Sequence, residues 1–316
     1  MLSTRILLIA FLLSIPADAC MWVDGTTLDG GTRTIGGLSP AKMLRLSLNS
    51  SPEDKLDELI EARREDHKDA DTWSELEGVR KVITGDYDQA ITIFNESEAK
   101  FPGRYSTAVN LGTAYELKGE LNLALKWISE GIRRNPDSHM GTEWLHVEIL
   151  KARMKLKENP DYLREHHVIE LPESFSATSS FKIDGDSHTG DDVRDALEYQ
   201  LRERMIFVKP PDPIVADLLF TFGQVEGRTN VVESGMQLME MAREYGFPNP
   251  ELIAEATKQY EWAFTLRKTR RIIYIILAIS ALAAFLILAY RKEWFFLTGA
   301  AHRRHQMEKK NQRLAS

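Results

Sequence analysis

The chain has a single cysteine, Cys20, among its 316 residues. An intramolecular disulfide framework is therefore excluded, and so is a zinc site built from several cysteines. The motifs G-x-S-x-G and H-E-x-x-H are also absent, as is any glycine-rich phosphate loop. These motifs place a nucleophile, a catalytic metal or a phosphate in common enzyme classes. The sequence thus predicts no catalytic residues, no metal site and no cofactor, and it does not indicate an enzyme.

Negative charge exceeds positive charge over most of the chain. Of the formal net charge of −7, residues 267–271 carry +4, residues 291–316 carry +5 and Arg5 carries +1, which leaves −17 for residues 6–266. A body this acidic repels phosphate backbones, so nucleic acid is not an expected partner. Hydrophobic residues make up 43% of the chain, which is enough for a packed core and excludes wholesale disorder.

Residues 1–19 have the layout of a signal peptide. Arg5 precedes a ten-residue apolar run, and an A-x-A-like cleavage site ends at Ala19. The run is too short to span a bilayer, which takes about twenty residues. Cleavage would make Cys20 the first residue of an N-terminal segment at 20–50. The bacterial lipobox has an aliphatic residue and then a small residue at the positions where this chain has Ala17 and Asp18. An ordinary signal peptide is therefore favoured, and a lipidated Cys20 is the alternative.

The segment 272–290 predicts a transmembrane helix. It contains no charged residue, and Arg and Lys stand at both of its ends. At about 1.5 Å per residue it covers close to 30 Å, the thickness of the hydrocarbon core. Within the span, Ser280 and Ala284 form a small-xxx-small step, a common and weak signal for self-association. A basic tail at 291–316 follows the predicted span.

The flanking charges do not orient the span, because the basic residues are similar in number on its two sides. The predicted signal peptide determines the expected orientation instead. It indicates a single-pass type I membrane protein with residues 20–271 exported, to the periplasm if the chain is bacterial. The basic tail would then face the cytoplasm, where it suits the anionic inner leaflet. If residues 1–19 are not read for export, the topology inverts.

The middle of the chain repeats at a spacing of 34 residues. Five pairs match at this offset, namely Gly78 with Gly112, Gly85 with Gly119, Ala90 with Ala124, Phe94 with Ile128, and Pro102 with Pro136. The second unit adds Leu111 and Tyr115. At these positions the chain resembles the tetratricopeptide repeat (TPR) family, whose unit is a 34-residue helix–turn–helix. The first unit departs from the motif at Glu77 and Lys81, and neither unit has the early tryptophan.

The matched residue types have plain physical roles. Small residues let the two helices of a unit approach closely, and Gly85 and Gly119 suit a turn with φ > 0. We therefore expect an all-α solenoid of the tetratricopeptide type, with units at 71–104 and 105–138 and a C-terminal transmembrane helix. Two units cannot bury their own ends. Capping helices are accordingly expected at 51–70 and at 139–167, the latter as a partial third unit.

The remaining exported part divides into a linker and a second helical block. Residues 168–192 are rich in Ser and Asp and predict a linker loop. Residues 193–266 predict helices, with a divergent TPR-like unit at about 214–248 and a last helix that continues into the membrane span. The Asp-x-Asp opening of residues 184–192 is similar to a calcium loop, but Thr189 and Asp195 replace the required Gly and Glu. An acidic surface loop is favoured over weak calcium binding.

The resemblance implies a concave groove, lined by the first helix of each unit, that holds a peptide or a partner protein. Family members that grip a C-terminal carboxylate use paired Lys and Asn, and only Asn110 matches here. The groove is mostly apolar, which suits an amphipathic or extended hydrophobic segment. A neighbouring segment of this chain, such as 168–183, is the alternative occupant. Carried over by position, the groove residues are Leu76, Val79, Val109, Asn110, Thr113, Trp144 and Val147.

The leading interpretation is a membrane-anchored scaffold for protein–protein interaction. One alternative is a metal-dependent module or enzyme around His139, Glu143 and His146, whose spacing aligns them on one helix face. Against it, His139 is expected in the turn between units, and the other two on a solvated face. The adjacent pair His166 and His167 points in two directions and is a weaker candidate. The other alternative is a purely structural spacer or a self-assembling protein.

Overall fold

The computed structural model describes residues 22–49, 51, 53, 56, 60, 61, 70–183, 185–291 and 299–315. The chain forms two compact units, Met1–Ala263 and Phe264–Ser316. The predicted signal peptide at 1–19 and Cys20 lie outside the described residues, as does most of the capping helix predicted at 51–70. Of that stretch, the described Leu56 is helical and buried.

The N-terminal segment, for which the sequence made no structural prediction, forms a hairpin and a helix. Strand β1 (Trp22–Thr26) pairs antiparallel with β2 (Thr32–Gly36), and helix α1 (Pro40–Asn49) follows. The hairpin is fixed by a distant carboxylate: the Thr26 backbone N–H and hydroxyl both donate to Glu233, at 2.8 and 2.7 Å. This contact joins the start of the chain to its second helical block.

Two helix–turn–helix units then follow at the predicted spacing, and they establish the tetratricopeptide-type all-α fold. In each unit the turn contains a glycine in the left-handed conformation, with φ of 79° at Gly85 and 88° at Gly119. Residues without Cβ adopt this conformation at no steric cost. The four helices are α2 (Ala70–Ile83), α3 (Tyr87–Lys100), α4 (Tyr105–Lys118) and α5 (Leu121–Arg134).

The paired helices touch at equivalent glycines. A Cβ placed on Gly78 would lie 2.3 Å from Cε1 of Phe94, and one on Gly112 would lie 2.5 Å from Cδ1 of Ile128. The large side chain of each second helix therefore occupies the space that the glycine leaves open. Phe94 also belongs to a core cluster with Leu111 of the next unit. The same side chain therefore packs within its own unit and against the following one.

The partial third unit has one full helix. A 3₁₀ turn (Ser138–Gly141) leads into α6 (Glu143–Glu158), and the short α7 (Tyr162–Glu165) takes the place of a second helix. Leu150 of α6 packs into the cluster that contains Val109 and Ile128. Helix α6 thus covers the end of the second repeat.

The segment predicted as a linker loop at 168–192 contains regular structure. Strand β3 (Ser180–Ile183) pairs with β4 (Asp186–Thr189), and helix α8 (Gly190–Phe207) begins directly after it. Thr189 and Asp192 form a capping box at the start of α8, in which the Thr189 N–H donates to Asp192 at 2.7 Å. The acidic residue Asp192 of the predicted surface loop therefore belongs to the first turn of a helix and completes its capping box.

The second block continues with a tight helical hairpin of α9 (Pro213–Thr229) and α10 (Val232–Glu244). A Cβ on Gly235 would lie 2.6 Å from the carbonyl oxygen of Gly223, so the two backbones touch. The last helices are α11 (Pro250–Arg291) and α12 (Gly299–Ala315). One described helix, α11, is long and apolar enough to cross a membrane, and its most apolar 18-residue window has a mean hydropathy of 2.9 and is 6% buried.

Candidate functional site

A cavity of about 610 Å³ lies between the first helices of the two repeats, α2 and α4, and helix α8. Its apolar lining includes Leu76, Val79, Val82, Ile83, Leu117 and Ile206. Polar side chains also line it, among them His139, Glu143 and His146 of the partial third unit. An apolar pocket with a few polar groups in its wall is typical of ligand sites in proteins.

Five of the seven predicted groove residues line this cavity, namely Leu76, Val79, Val109, Asn110 and Thr113. The other two do not. The ring of Trp144 packs against that of His188 in β4 in a tilted arrangement, with centroids 4.1 Å apart. Val147 packs against the core cluster that contains Val109 and Leu150. Both side chains are therefore occupied by intramolecular packing.

Helix α8 covers the concave face. Tyr199, Gln200 and Arg204 of this helix contribute to the cavity wall opposite α2 and α4. The alternative expected from the sequence was a covering segment at 168–183, and the structure places residues 190–207 there instead. The groove of the repeats is thus reduced to a bounded cavity.

A buried charge network fastens α8 to the repeats. Nη1 of Arg204 lies 2.6 Å from Glu116 in α4, and Nε2 of His146 lies 2.7 Å from the same carboxylate. All three residues are buried. Burial alone would raise the pKa of Glu116, but the charges of Arg204 and His146 hold it well below its usual value. Arg153 of α6 adds a further cation 3.1 Å from Glu116.

The three residues of the metal alternative do come together, but not on a solvated face. Glu143 and His146 are buried, and Oε1 of Glu143 contacts Nδ1 of His139. Burial alone would raise the pKa of Glu143, yet its contacts with the two histidines lower it to about 2. Within the residues that the structure describes, no group of three or more His, Cys, Asp or Glu side chains is placed to hold a metal ion.

One buried oxygen of this network has no hydrogen-bond donor. Oε2 of Glu143, a residue only 4% exposed, accepts no hydrogen bond within the described part of the chain. Nδ1 of His146 lies 3.4 Å away, outside hydrogen-bonding alignment. Leaving a buried carboxylate oxygen without a donor is costly. The oxygen belongs to a residue that lines the cavity.

The backbone at this end of the cavity is strained. His139 and Met140 both adopt left-handed conformations, with φ of 48° and 58°. Non-glycine residues rarely do so, and such strain often accompanies functional sites. The imidazole of His139 stacks on Tyr199 of α8, with centroids 5.0 Å apart, and lies 3.2 Å from the Tyr105 hydroxyl. Met140 is 74% exposed beside it.

Sequence reasoning missed Glu116 and Arg204 in the lining of the cavity, although one signal was available. Val193, Leu197, Gln200 and Arg204 fall at i, i+4, i+7 and i+11, so two polar residues continue the apolar face of α8. Polar residues on a buried face need partners. This pattern predicts that α8 meets a polar group, but it cannot name Glu116, which lies 88 residues earlier.

Neither the protein-family models nor the curated proteins give a match to this chain. Among solved structures, the crystal structure of MamA matches 65% of this chain and 98% of its own, at 14% sequence identity and a TM-score of 0.26. A likeness this distant carries no argument about function. The fold assignment above rests on the repeat spacing and the helix contacts of this chain itself.

Proposed function

We propose that this chain is a membrane-anchored, exported scaffold that binds a segment of a partner protein in the cavity between α2, α4 and α8. The observation that carries the proposal is the cavity itself, because helix packing otherwise fills the concave side of the described repeats. Its volume of about 610 Å³ lies within the usual range of roughly 300–1,000 Å³ for ligand pockets.

The cavity wall offers hydrogen-bonding groups that the fold does not use. Asn110 and Thr113 of α4 line the cavity, and in the described part of the chain neither side chain makes a hydrogen bond. An amide and a hydroxyl can pair with the backbone of an extended peptide. The apolar side chains of α2, such as Leu76 and Val79, would receive the side chains of such a segment.

The membrane part of the proposal rests on composition and exposure. The apolar stretch of α11 is long enough to cross a bilayer and almost entirely exposed, which is the opposite of a core helix. The signal-like residues 1–19 support export of the repeats. The scaffold would then hold its partner at the outer face of the membrane.

Filling the cavity is the direct test. Thr113→Trp places a large side chain within it, whereas Thr92→Trp makes the same change on an exposed site of α3. Cross-linking in intact cells, followed by mass spectrometry, would compare the proteins joined to each variant. We expect Thr113→Trp to lose a cross-linked species that Thr92→Trp retains. Retention of every species by Thr113→Trp would place the binding surface elsewhere.

A further inference from the structure

The basic tail contains a helix whose positive charges the fold leaves unpaired. Helix α12 (Gly299–Ala315) carries five Lys or Arg side chains against one carboxylate, that of Glu308, so its formal charge is +4. Four of the basic side chains are exposed and form no ion pair among the described residues, namely Arg303, Arg304, Lys309 and Lys310. Positive charge at this density attracts an anionic surface.

Two apolar side chains of α12 form what we call its apolar face. Met307 and Leu314 are seven residues apart, which brings them to nearly the same side of a helix, and they are 64% and 77% exposed. Basic residues border this face. Arg303 and Arg304 precede Met307 by four and three residues, and Lys310 follows it by three. Apolar residues bordered by Lys and Arg are typical of a helix that lies in a membrane interface.

The composition of α12 distinguishes among the possible partners. A second copy of the helix is disfavoured, because a coiled-coil seam needs apolar residues at alternating spacings of three and four. The positions three and four residues from Met307 are all polar. Nucleic-acid phosphates would pair with the charges, but they give the two exposed apolar side chains no apolar surface. A lipid surface has phosphates for the charges and acyl chains for the apolar face.

The chain holds α12 close to the candidate membrane span. Helix α11 ends at Arg291 and α12 begins at Gly299, so at most about 30 Å of extended chain separates them. The intervening sequence contains Trp294, Phe295 and Phe296, and aromatic residues suit the headgroup boundary of a membrane. A tethered helix meets the nearby lipid surface at a high effective concentration. Individually weak contacts therefore suffice to keep it there.

We propose that α12 lies on the surface of the membrane that α11 crosses and binds its anionic lipids, with Met307 and Leu314 turned toward the acyl chains and the bordering basic residues toward the phosphates. This inference rests on the membrane part of the proposed function and is independent of the cavity. Under the type I topology the surface is that of the cytoplasmic leaflet, which carries anionic lipids.

The test uses the full chain with Cys20→Ser and one new cysteine that carries the fluorophore NBD. Vesicles consist of phosphatidylcholine alone or of an equal mixture with phosphatidylglycerol, and a spin-labelled lipid in each quenches a probe that enters the headgroup boundary. Met307→Cys places the probe on the apolar face, and Gln312→Cys, about 140° around the same helix, is the matched control. In the mixed vesicles we expect roughly threefold more quenching at position 307 than at 312, because the apolar face alone enters the lipid. High salt should remove the difference.

Three substitutions assign the docking to the basic residues that border the apolar face. Arg303→Gln, Arg304→Gln and Lys310→Gln together should reduce the quenching in mixed vesicles to that in phosphatidylcholine alone. The reason is that each Lys or Arg near an anionic surface strengthens binding about fivefold. Quenching that the triple variant retains in full would overturn the role of these charges.

The control for the triple variant removes three charges from the other end of the span. Lys268→Gln, Arg270→Gln and Arg271→Gln change the net charge of the chain by the same amount and should leave the quenching at position 307 unchanged. An equal loss of quenching in the two triple variants would show a general effect of net charge and would overturn the assignment to α12.

The outcomes separate this inference from the proposed function. Extraction of the chain from the vesicles by alkaline carbonate would overturn the span and with it the membrane part of that function. A chain that resists extraction but is quenched equally at positions 307 and 312 would overturn the docking of α12 alone. Equal quenching at position 307 in the two kinds of vesicle would overturn the preference for anionic lipid. A probe that responds to single-stranded RNA and not to mixed vesicles would show a nucleic acid as the partner and would overturn the lipid.

Discussion

Arg204 of α8 and Glu116 of α4 form a buried ion pair across 88 residues of sequence, with Nη1 2.6 Å from Oε1. The contact holds α8 over the concave face of the repeats. It closes the groove that a repeat array alone would leave open and defines one wall of the remaining cavity. The binding site proposed above therefore depends on a helix that lies outside the repeats.

Removing the cation of this pair should destabilise the packing of α8 on the repeats. Arg204→Met leaves Glu116 buried with only His146 and Arg153 for compensation, and breaking a buried pair in this way costs about 3–5 kcal/mol. Urea unfolding of the full chain in detergent measures the loss. The control is Arg202→Met on the same helix, at a side chain 39% exposed, which should change stability by less than about 0.5 kcal/mol. Equal losses in the two variants would show that the pair does not hold α8.

Stability should fall on the alkaline side of neutrality through His146. Burial alone would lower its pKa, and Arg204 acts in the same direction, but Glu116 and Glu143 raise it above the ordinary value of 6.5. A raised pKa contributes stability that is complete below about pH 6.5 and is lost as the pH rises through the folded-state pKa. The melting temperature should therefore decline above this range, and His146→Gln should reduce the decline. A variant with the wild-type slope would contradict this assignment.

At acidic pH the dependence of stability on pH has the opposite sign. The pKa of Glu143 is lowered to about 2 from 4.5, because its contacts with His139 and His146 outweigh the burial that would raise it. This stability is present above about pH 4.5 and is lost as the pH falls toward 2. Glu143→Gln should flatten the acid limb of a melting curve series between pH 5 and 2, relative to Glu158→Gln. An acid limb that is the same in both variants would count against the buried network.

The close contact within the second repeat can be tested by a double-mutant cycle. Gly112→Ala places a Cβ 2.5 Å from Cδ1 of Ile128, and overpacking of this kind costs about 1–3 kcal/mol. Ile128→Ala removes both Cδ1 and Cγ1, which would lie 2.5 and 2.6 Å from that Cβ, so the double variant should lose less stability than the two single variants together. Strict additivity in chemical denaturation would show that the two residues do not compete for this space.

The repeats were predictable from the sequence because their determinants are local. Glycines at φ > 0 and glycines facing a large side chain recur at one spacing, and each acts within its own unit. The N-terminal hairpin was not predictable in this way, since Thr26 depends on Glu233, 207 residues later.

The same distinction applies to the site. Position within a repeat placed Asn110 and Thr113 in the wall of the cavity. Trp144 was placed there too, but its ring packs on His188, whose strand no repeat spacing could indicate. The charges of Glu116 and Arg204 were overlooked because the partner of each lies in a distant helix. Tertiary pairing between helices, rather than the repeat pattern, determines the charged part of the site.

Membrane orientation is open to a separate test. The predicted type I topology places the repeats outside the cytoplasm and the tail inside. Protease added to sealed vesicles of known sidedness should digest the repeats and spare an epitope placed after Ser316. Protection of the repeats with loss of the epitope would invert the topology and move the partner to the cytoplasm.

The most direct measurement of the central claim places a photo-reactive benzoylphenylalanine at position 113, inside the cavity, or at position 92, on the exposed surface of α3. Illumination of intact cells and mass spectrometry then identify what each position touches. The account predicts a cross-link from position 113 to a segment of another protein, and no such product from position 92. Cross-links from position 113 that reach only α8 of the same chain would contradict it.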